Sequence, residues 1–167
     1  MNYSACFIGH RKISDTPEFR KKLKETIETL IKNGTINFVF GDHSAFNDIC
    51  YSEVTEYKKN YPQIRRIKFR TNYENADGYT ERFLTDGYEE SIFPQGVHGS
   101  GRVAYIERNK AMIKECDICV FYYNKNYVPP KRKSCNRAVS YYIPKSGTAL
   151  AYDFAVHNNK TVINCFK

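Results

Sequence analysis

The sequence predicts an α/β fold, with helices covering both faces of a doubly wound, mostly parallel sheet of five strands. Five short runs rich in Ile, Val, Phe and Tyr occur, at residues 3–8, 36–40, 64–69, 118–123 and 161–165. Several of these runs are apolar on both faces, which is typical of parallel strands buried under helices. Amphipathic segments separate most of the runs, which predicts βαβ connections. We expect the strand order 3-2-1-4-5, with the topological switch point between the first and fourth strands.

The first helix has the clearest sequence boundaries. Thr16 and its neighbours are candidate N-caps, Pro17 suits the first turn, and Asn33-Gly34 is a stop signal. Apolar residues recur between them at steps of three or four, at Phe19, Leu23, Ile27, Leu30 and Ile31. Three further helices are predicted over about 45–59, 103–115 and 148–157. The connections 71–102 and 124–145 are longer than simple turns, and loops of that length are usually functional lids or disordered.

Length and composition narrow the class of protein. A chain of 167 residues corresponds to one domain, here taken as 1–167. No apolar run approaches the length of a membrane span, and no signal peptide is evident, so we expect a cytoplasmic protein without membrane contact. The net charge of +8 favours an anionic partner. The pair Cys116 and Cys119 lacks a second pair or a histidine at metal spacing, so we interpret it as structural and predict neither metal nor cofactor.

Candidate ligand-binding residues follow the predicted strands. Ligands of open parallel sheets bind at the carboxyl ends of the strands, so residues there should converge on one edge. The candidates that we name are Gly9, His10, Arg11, Gly41, Asp42, Phe46, Asn47, Arg108, Asn109, Lys145, Ser146, Gly147 and Thr148. No catalytic residue can be assigned among them from the pattern alone.

Several of these positions have more than one interpretation. The turn Ser146-Gly147-Thr148 could hold a phosphate at a helix N-terminus, or it could be an ordinary helix cap. Arg11 could supply a bidentate fork to a phosphate or carboxylate. His10 could bind a ribose, act as an acid or base, or be structural. We expect Arg108-Asn109 to lie at the start of the helix before the fourth strand. The pair could close over a phosphate there, or it could lie on a solvated helix face.

These motifs together resemble the YpsA-related SLOG family, relatives of the lonely-guy phosphoribohydrolases and of DprA. The matching segments are Cys6-Phe-Ile-Gly9-His10-Arg11, Phe38-Val-Phe-Gly41, Phe46-Asn47-Asp48-Ile-Cys50, Arg108-Asn109-Lys-Ala-Met112, Cys116-Asp117, and Lys145-Ser-Gly147-Thr148-Ala-Leu-Ala-Tyr-Asp-Phe-Ala155. The resemblance implies a Rossmann-like fold that binds a nucleotide or nucleotide-derived ligand. It also implies a phosphate loop at Ser146, Gly147 and Thr148, and an Arg-x-x-x-Met helix at Arg108 and Met112.

The sequence departs from this family pattern at two acidic positions. Phosphoribohydrolases carry a glutamate, taken as catalytic, where this chain has Ala151. Asp153 lies two residues further, about 200° around the helix, and cannot simply replace it. Related families often have Phe-Asp where this chain has Phe46-Asn47. The resemblance therefore favours a sensor or regulatory domain over an enzyme.

Two other functions remain open on the sequence. One is cleavage or transfer of a nucleotide N-glycosidic bond with Asp42, Asp48 or Glu107 as the acid. The other is nucleic-acid binding, suggested by fourteen tyrosines and a basic patch of Lys131, Arg132, Lys133 and Arg137. The identity of the ligand and the oligomeric state, including a homo-oligomer, also stay open.

Overall fold

The architecture is a six-stranded parallel sheet between helices. The computed structural model describes residues 2–42, 44–129 and 145–166. The strands are β1 Tyr3–Gly9, β2 Thr35–Phe40, β3 Arg65–Phe69, β4 Glu90–Ile92, β5 Ile118–Tyr122 and β6 Thr161–Asn164. Their order is β4-β3-β2-β1-β5-β6, and every pairing is parallel. The α/β class and the relative order of the five predicted strands are confirmed, but the count of five is wrong, because β4 extends the sheet beyond β3.

Four helices lie where the sequence predicts them, and one further helix, at Gly78–Leu84, was not predicted. They are α1 Pro17–Lys32, α2 Ala45–Asn60, α3 Gly78–Leu84, α4 Arg102–Glu115 and α5 Gly147–His157. Thr16 caps α1 and accepts a hydrogen bond from the backbone N–H of Phe19, and Pro17 occupies the first helical position, as predicted. Among the residues that the model describes, no helix is long and apolar enough to cross a membrane.

The predicted loop 71–102 instead contains α3 and β4. Asp77 caps α3 by accepting from the N–H of Thr80 at 2.8 Å. The buried guanidinium of Arg70, at the end of β3, donates to the carbonyl and hydroxyl oxygens of Ser91 in β4 at 2.8 and 3.1 Å. The segment is therefore tied to the sheet by side chains of the neighbouring strand. Disorder was thus the wrong expectation for residues 78–84 and 90–92, which form a helix and a strand.

Two apolar layers cover the sheet. On the α1–α2 side, Phe7 stacks on Phe40 with ring centroids 5.2 Å apart, and Phe46 meets Phe7 edge-on. On the other side, the core is formed mainly by smaller aliphatic and sulfur-containing residues with Phe69 and Phe121. Alternate residues of β1 face the two layers, which explains why the sequence of this strand is apolar on both faces.

The cysteines of the second layer belong to the core. Cys6 and Cys119 are opposite each other on β1 and β5, and Cys116 ends α4. Hydrogen bonds with the Cys116 and Cys119 thiols, together with burial, raise the pKa of the Cys6 thiol well above its usual value. Within the three described ranges the cysteines are free, and no group of three or more His, Cys, Asp or Glu side chains could hold a metal ion. Cys116 and Cys119 thus lie on either side of the junction between α4 and β5.

Candidate functional site

The carboxyl edge of the sheet carries most of the predicted residues. Gly9 ends β1, Asp42 follows β2, and α5 begins at Gly147, so the topology brings these segments to the same edge. Helices α1 and α2 share one face, and α4 and α5 share the other. The chain thus reverses its winding between β1 and β5, which is the switch point that the sequence predicted. Open α/β sheets bind ligands in the crevice at such a point.

Gly9 and Phe46 have a packing role at this edge. A Cβ atom on Gly9 would lie 2.5 Å from the Phe46 ring, which is fully buried. Such a distance is far inside van der Waals contact, so only glycine lets the first turn of α2 approach β1 this closely. The contact accounts for both residues without any ligand.

His10 is buried at the crevice between β1 and β5. Its Nε2 lies 3.0 Å from the backbone N–H of Asn124 and 3.2 Å from the Asn124 carbonyl oxygen. Nε2 accepts from this N–H in the tautomer with the proton on Nδ1, and donates to the carbonyl oxygen in the tautomer with the proton on Nε2. That Nδ1 is buried and has no hydrogen-bond partner in the described part of the chain. Burial lowers the pKa of His10, outweighing the opposing effect of the Asn124 carbonyl.

Aromatic rings line the same crevice. Tyr127 stacks on His10 with centroids 3.9 Å apart, and Tyr123 lies 6.0 Å from the His10 ring. Tyr123 in turn stacks on Tyr152 of α5 at 4.4 Å. The sequence did not single out Tyr123 or Tyr152 as site residues. Their positions in the chain could have indicated them, because Tyr123 follows β5 directly and Tyr152 lies in the second turn of α5.

Arg11 is the exposed cation of the β1 end. Its carbonyl oxygen accepts from the N–H of Ala45 at the start of α2, with 3.4 Å between the two atoms. No ion pair joins its guanidinium to another residue in the described ranges. Arg11 is therefore an exposed cation at the end of β1 whose N–H donors solvent can reach.

Arg108 is neither solvated nor free. It lies in the middle of α4, where Nη1 contacts Asp42 Oδ2 at 2.6 Å and Nη2 contacts Asn109 Oδ1 at 2.9 Å. Its side chain is 8% exposed, and burial lowers the pKa of Arg108 while Asp42 opposes that shift. Arg108 does not open the helix, because α4 begins at Arg102, and the alternative of a solvated face was wrong, because the guanidinium is buried against Asp42. Closure of Arg108 over a phosphate stays a prediction.

Gly41 makes room for this guanidinium. A Cβ atom at position 41 would lie 2.6 Å from Arg108 Cζ and 2.7 Å from Nη2. The glycine after β2 is thus explained by the passage of Arg108 against the backbone. Asn109 holds the other side of the guanidinium, so it positions Arg108 rather than reaching outward.

The start of α5 is the most open part of the edge. Ser146 caps the helix by accepting from the N–H of Ala149 at 3.1 Å, as the cap interpretation predicted. The first turn contains no acidic residue, and a Cβ atom on Gly147 would meet no described atom within 4 Å. Thr148 is buried, whereas the exposed Lys145 forms a 2.8 Å ion pair with Asp153. Among the described residues, a side chain at position 147 would therefore have room beside the first turn of α5.

A second helix N-terminus adjoins the first. Arg102, the first residue of α4, donates to the carbonyl oxygen of Lys145 at 2.5 Å, which ties the segment before α5 to α4. Gly101 caps α4 with a φ of 55°, a conformation that favours glycine, and makes no side-chain cap bond. The sequence missed Arg102, because nothing in its local pattern marks a contact 43 residues away.

The three carboxylates that the sequence offered as alternative acids lie in different surroundings. Glu107 accepts from the backbone N–H groups of His98 and Gly99, both at 2.9 Å, and these bonds lower the pKa of Glu107. Asp42 is engaged by Arg108, and Asp48 lies exposed on the first turn of α2. The three do not form one group. The basic patch, Lys131, Arg132, Lys133 and Arg137, lies outside the described residues.

The described surface has two concavities, of about 340 and 380 Å³. The first is lined by α1 with β5 and β6, and the second by residues 93–98 with Glu74. Neither concavity is lined by a residue predicted for the ligand site.

Comparison with known proteins adds no assignment. No family model matches this chain, and no curated protein matches it.

Proposed function

We propose that this chain is a nucleotide-binding domain of the SLOG type, which binds a nucleotide or nucleotide-derived ligand and serves as a sensor or regulatory module. The observation that carries the proposal is the start of α5, an open helix N-terminus without an acidic residue at the switch point of the sheet. The partial positive charge of such an end attracts a phosphate, and its free N–H groups donate to the phosphate oxygens.

Charge around the crevice favours an anion. Arg11 is exposed at the end of β1 and Arg102 opens α4, whereas the charge of Lys145 is shared with Asp153. Arg102 donates to the backbone rather than to a carboxylate, so its positive charge stays unneutralised by that contact. The net charge of +8 adds a long-range attraction for phosphate-bearing ligands.

The aromatic rings beside the phosphate position favour a nucleobase or another planar group. Tyr123, Tyr127 and Tyr152 are each partly exposed and flank the crevice next to His10. Partly exposed tyrosines offer ring faces on which a base stacks. A phosphate-attracting helix end with aromatic faces nearby fits a nucleotide better than it fits an isolated phosphate.

Binding without hydrolysis is the function that the side chains support. Ala151 replaces the glutamate of the related phosphoribohydrolases, is buried, and carries no ionisable group. Asp153, the nearest acid on α5, is paired with Lys145. We therefore propose no catalytic residue.

Thermal-shift titration tests the proposal. AMP, ATP, GTP, cyclic AMP, NAD and ADP-ribose are added to the wild type and to Arg11→Ala. We expect at least one ligand to raise the melting temperature of the wild type. Arg11→Ala should show a smaller rise at the same concentration, because a bidentate contact is lost. The proposal is wrong if no ligand in the panel raises the wild-type melting temperature.

A further inference from the structure

The sheet ends on one side at the edge strand β6. Within the described ranges, β6 pairs with β5 alone, and the pairing is parallel. Cys165, just beyond β6, donates its backbone N–H to the carbonyl oxygen of Phe121 in β5 at 2.7 Å. Because alternate residues of a strand bond to opposite sides, Ile163 also faces β5. The backbone N–H and C=O groups of Val162 and Asn164 therefore point away from the sheet.

The other edge strand, β4, is protected against pairing, whereas β6 is not. β4 has three residues and begins with Glu90 directly after Glu89, so a second copy of this strand would bring like charges together. The carbonyl oxygen of Ser91 in β4 already accepts from Arg70 Nη1 at 2.8 Å. β6 has the sequence Thr-Val-Ile-Asn, with neither a charge nor a proline. Edges without such protection are templates for a further strand.

A groove beside β6 leaves apolar surface next to this unpaired backbone. It has a volume of about 340 Å³, lies between α1 and strands β5 and β6, and is lined by Ile118 and Ile163 among others. Both of these side chains are partly exposed. Lys22 of α1 also lines the groove and donates to the Asn164 carbonyl oxygen at 2.7 Å. That oxygen keeps a second lone pair for another donor.

We propose that β6 pairs with β6 of a second copy of this chain, antiparallel about a two-fold axis at Ile163, so that the two sheets become continuous. The outward groups of Val162 and Asn164 lie symmetrically on either side of Ile163. In this register, Val162 of each copy lies opposite Asn164 of the other, and the two residues exchange N–H···O bonds. The two Ile163 side chains then form a closely spaced apolar pair across the axis, on the side of the groove.

The edge is suited to a second copy because it is complementary to itself. β6 carries no charge, so the antiparallel copy meets no like charge within the strand, and the residue on the axis is apolar. Two-fold interfaces use the same surface on both copies, as this pairing does. The net charge of +8 on each copy opposes association, so added salt should favour the dimer. The pairing is independent of the proposed nucleotide site, because no residue predicted for the ligand lines this groove.

Sedimentation equilibrium and amide hydrogen exchange by NMR test the pairing. The wild type is measured at protein concentrations from about 1 to 300 µM, where small interfaces associate. We expect a dimer fraction that rises with concentration and rises further with added NaCl. Exchange of the Val162 and Asn164 N–H groups should slow at least about tenfold across this range. Exchange of the Ser91 N–H group, on the other edge strand, should not depend on concentration.

Two variants separate the edge from the rest of the surface. Ile163→Lys places like charges opposite each other on the axis and should weaken dimerisation at least about tenfold. Val156→Lys adds the same charge at a position of α5 that is 51% exposed and should leave dimerisation unchanged.

Three results would overturn the β6 pairing. They are a wild type that stays monomeric throughout, a dimer in which Val162 and Asn164 exchange at the monomer rate, and a folded Ile163→Lys protein that dimerises as the wild type does. The exchange rates of the wild type decide the question even if Ile163→Lys does not fold.

Discussion

Gly41→Ala tests the contact on which the β2 end is built. The added methyl group would lie 2.6 Å from Arg108 Cζ and 2.9 Å from Nη1, so the methyl and the guanidinium cannot both keep their places. The guanidinium is held by Asp42 at 2.6 Å and by Asn109 at 2.9 Å, and α4 packs behind it. It can therefore move aside only by giving up these bonds.

The expected loss of stability follows from the two ways in which the clash can be relieved. Either the guanidinium gives up its partners, or the site is overpacked. Removing one partner of a buried ion pair costs about 3–5 kcal/mol, and overpacking a filled site costs about 1–3 kcal/mol. Asp42 keeps part of its hydration, with a side chain that is 35% exposed, which reduces the loss of the pair. We therefore expect Gly41→Ala to lower the free energy of unfolding by about 3 kcal/mol.

Urea denaturation at pH 7 measures this cost and its cause. Gly147→Ala is the matched control, because the same methyl group meets no described atom there and should change stability by less than about 1 kcal/mol. Combining Gly41→Ala with Arg108→Met removes the obstructing guanidinium, so in that background the glycine change should cost under about 1 kcal/mol. Strict additivity of the two substitutions, or an unchanged stability of Gly41→Ala, would refute the reasoning.

Two further predictions concern other buried polar groups. Burial lowers the pKa of His10 below the unfolded value of about 6.5, so its contribution is fully present above that pH and is lost as the pH falls below it. Thermal melts between pH 7.5 and 5.5 should therefore show a weaker pH dependence for His10→Gln than for the wild type, whereas the exposed-site control His157→Gln should follow the wild type. Arg70→Met should lower stability by about 2–4 kcal/mol, because Ser91 loses a buried donor. Hydrogen exchange should then speed up in residues 73–92 and not in β1; uniform acceleration would contradict a local role.

The sequence was sufficient to predict the main topology of the sheet but not its edge strand β4. Five strands contain short apolar runs, several of them apolar on both faces, and such runs are recognisable without any tertiary contact. β4 has three residues, two of them polar, and is held by Arg70 and by the bond of Arg66 to Glu89. Contacts between different strands determine this element, and local periodicity cannot encode them.

The candidate site shows the same limit. Residue types at the strand ends predicted where polar groups would collect, because parallel topology brings those ends together. The partner of each group depends on contacts that cross the chain, such as Arg108 with Asp42 over 66 positions and His10 with Asn124 over 114. Gly9 and Gly41 allow tight packing against Phe46 and Arg108. In the sequence alone, a glycine needed for such packing cannot be told from a glycine needed for a ligand.

The start of α5 permits the most direct test of nucleotide binding. Gly147→Asp adds a negative charge to a helix N-terminus, which should leave stability unchanged or raise it by about 0.3–1 kcal/mol. The same charge would repel a phosphate there. The measurement is the nucleotide-induced shift in melting temperature for the wild type, Gly147→Ala and Gly147→Asp. We predict a shift for the first two proteins and none for the third. An undiminished shift for Gly147→Asp would contradict phosphate binding at α5.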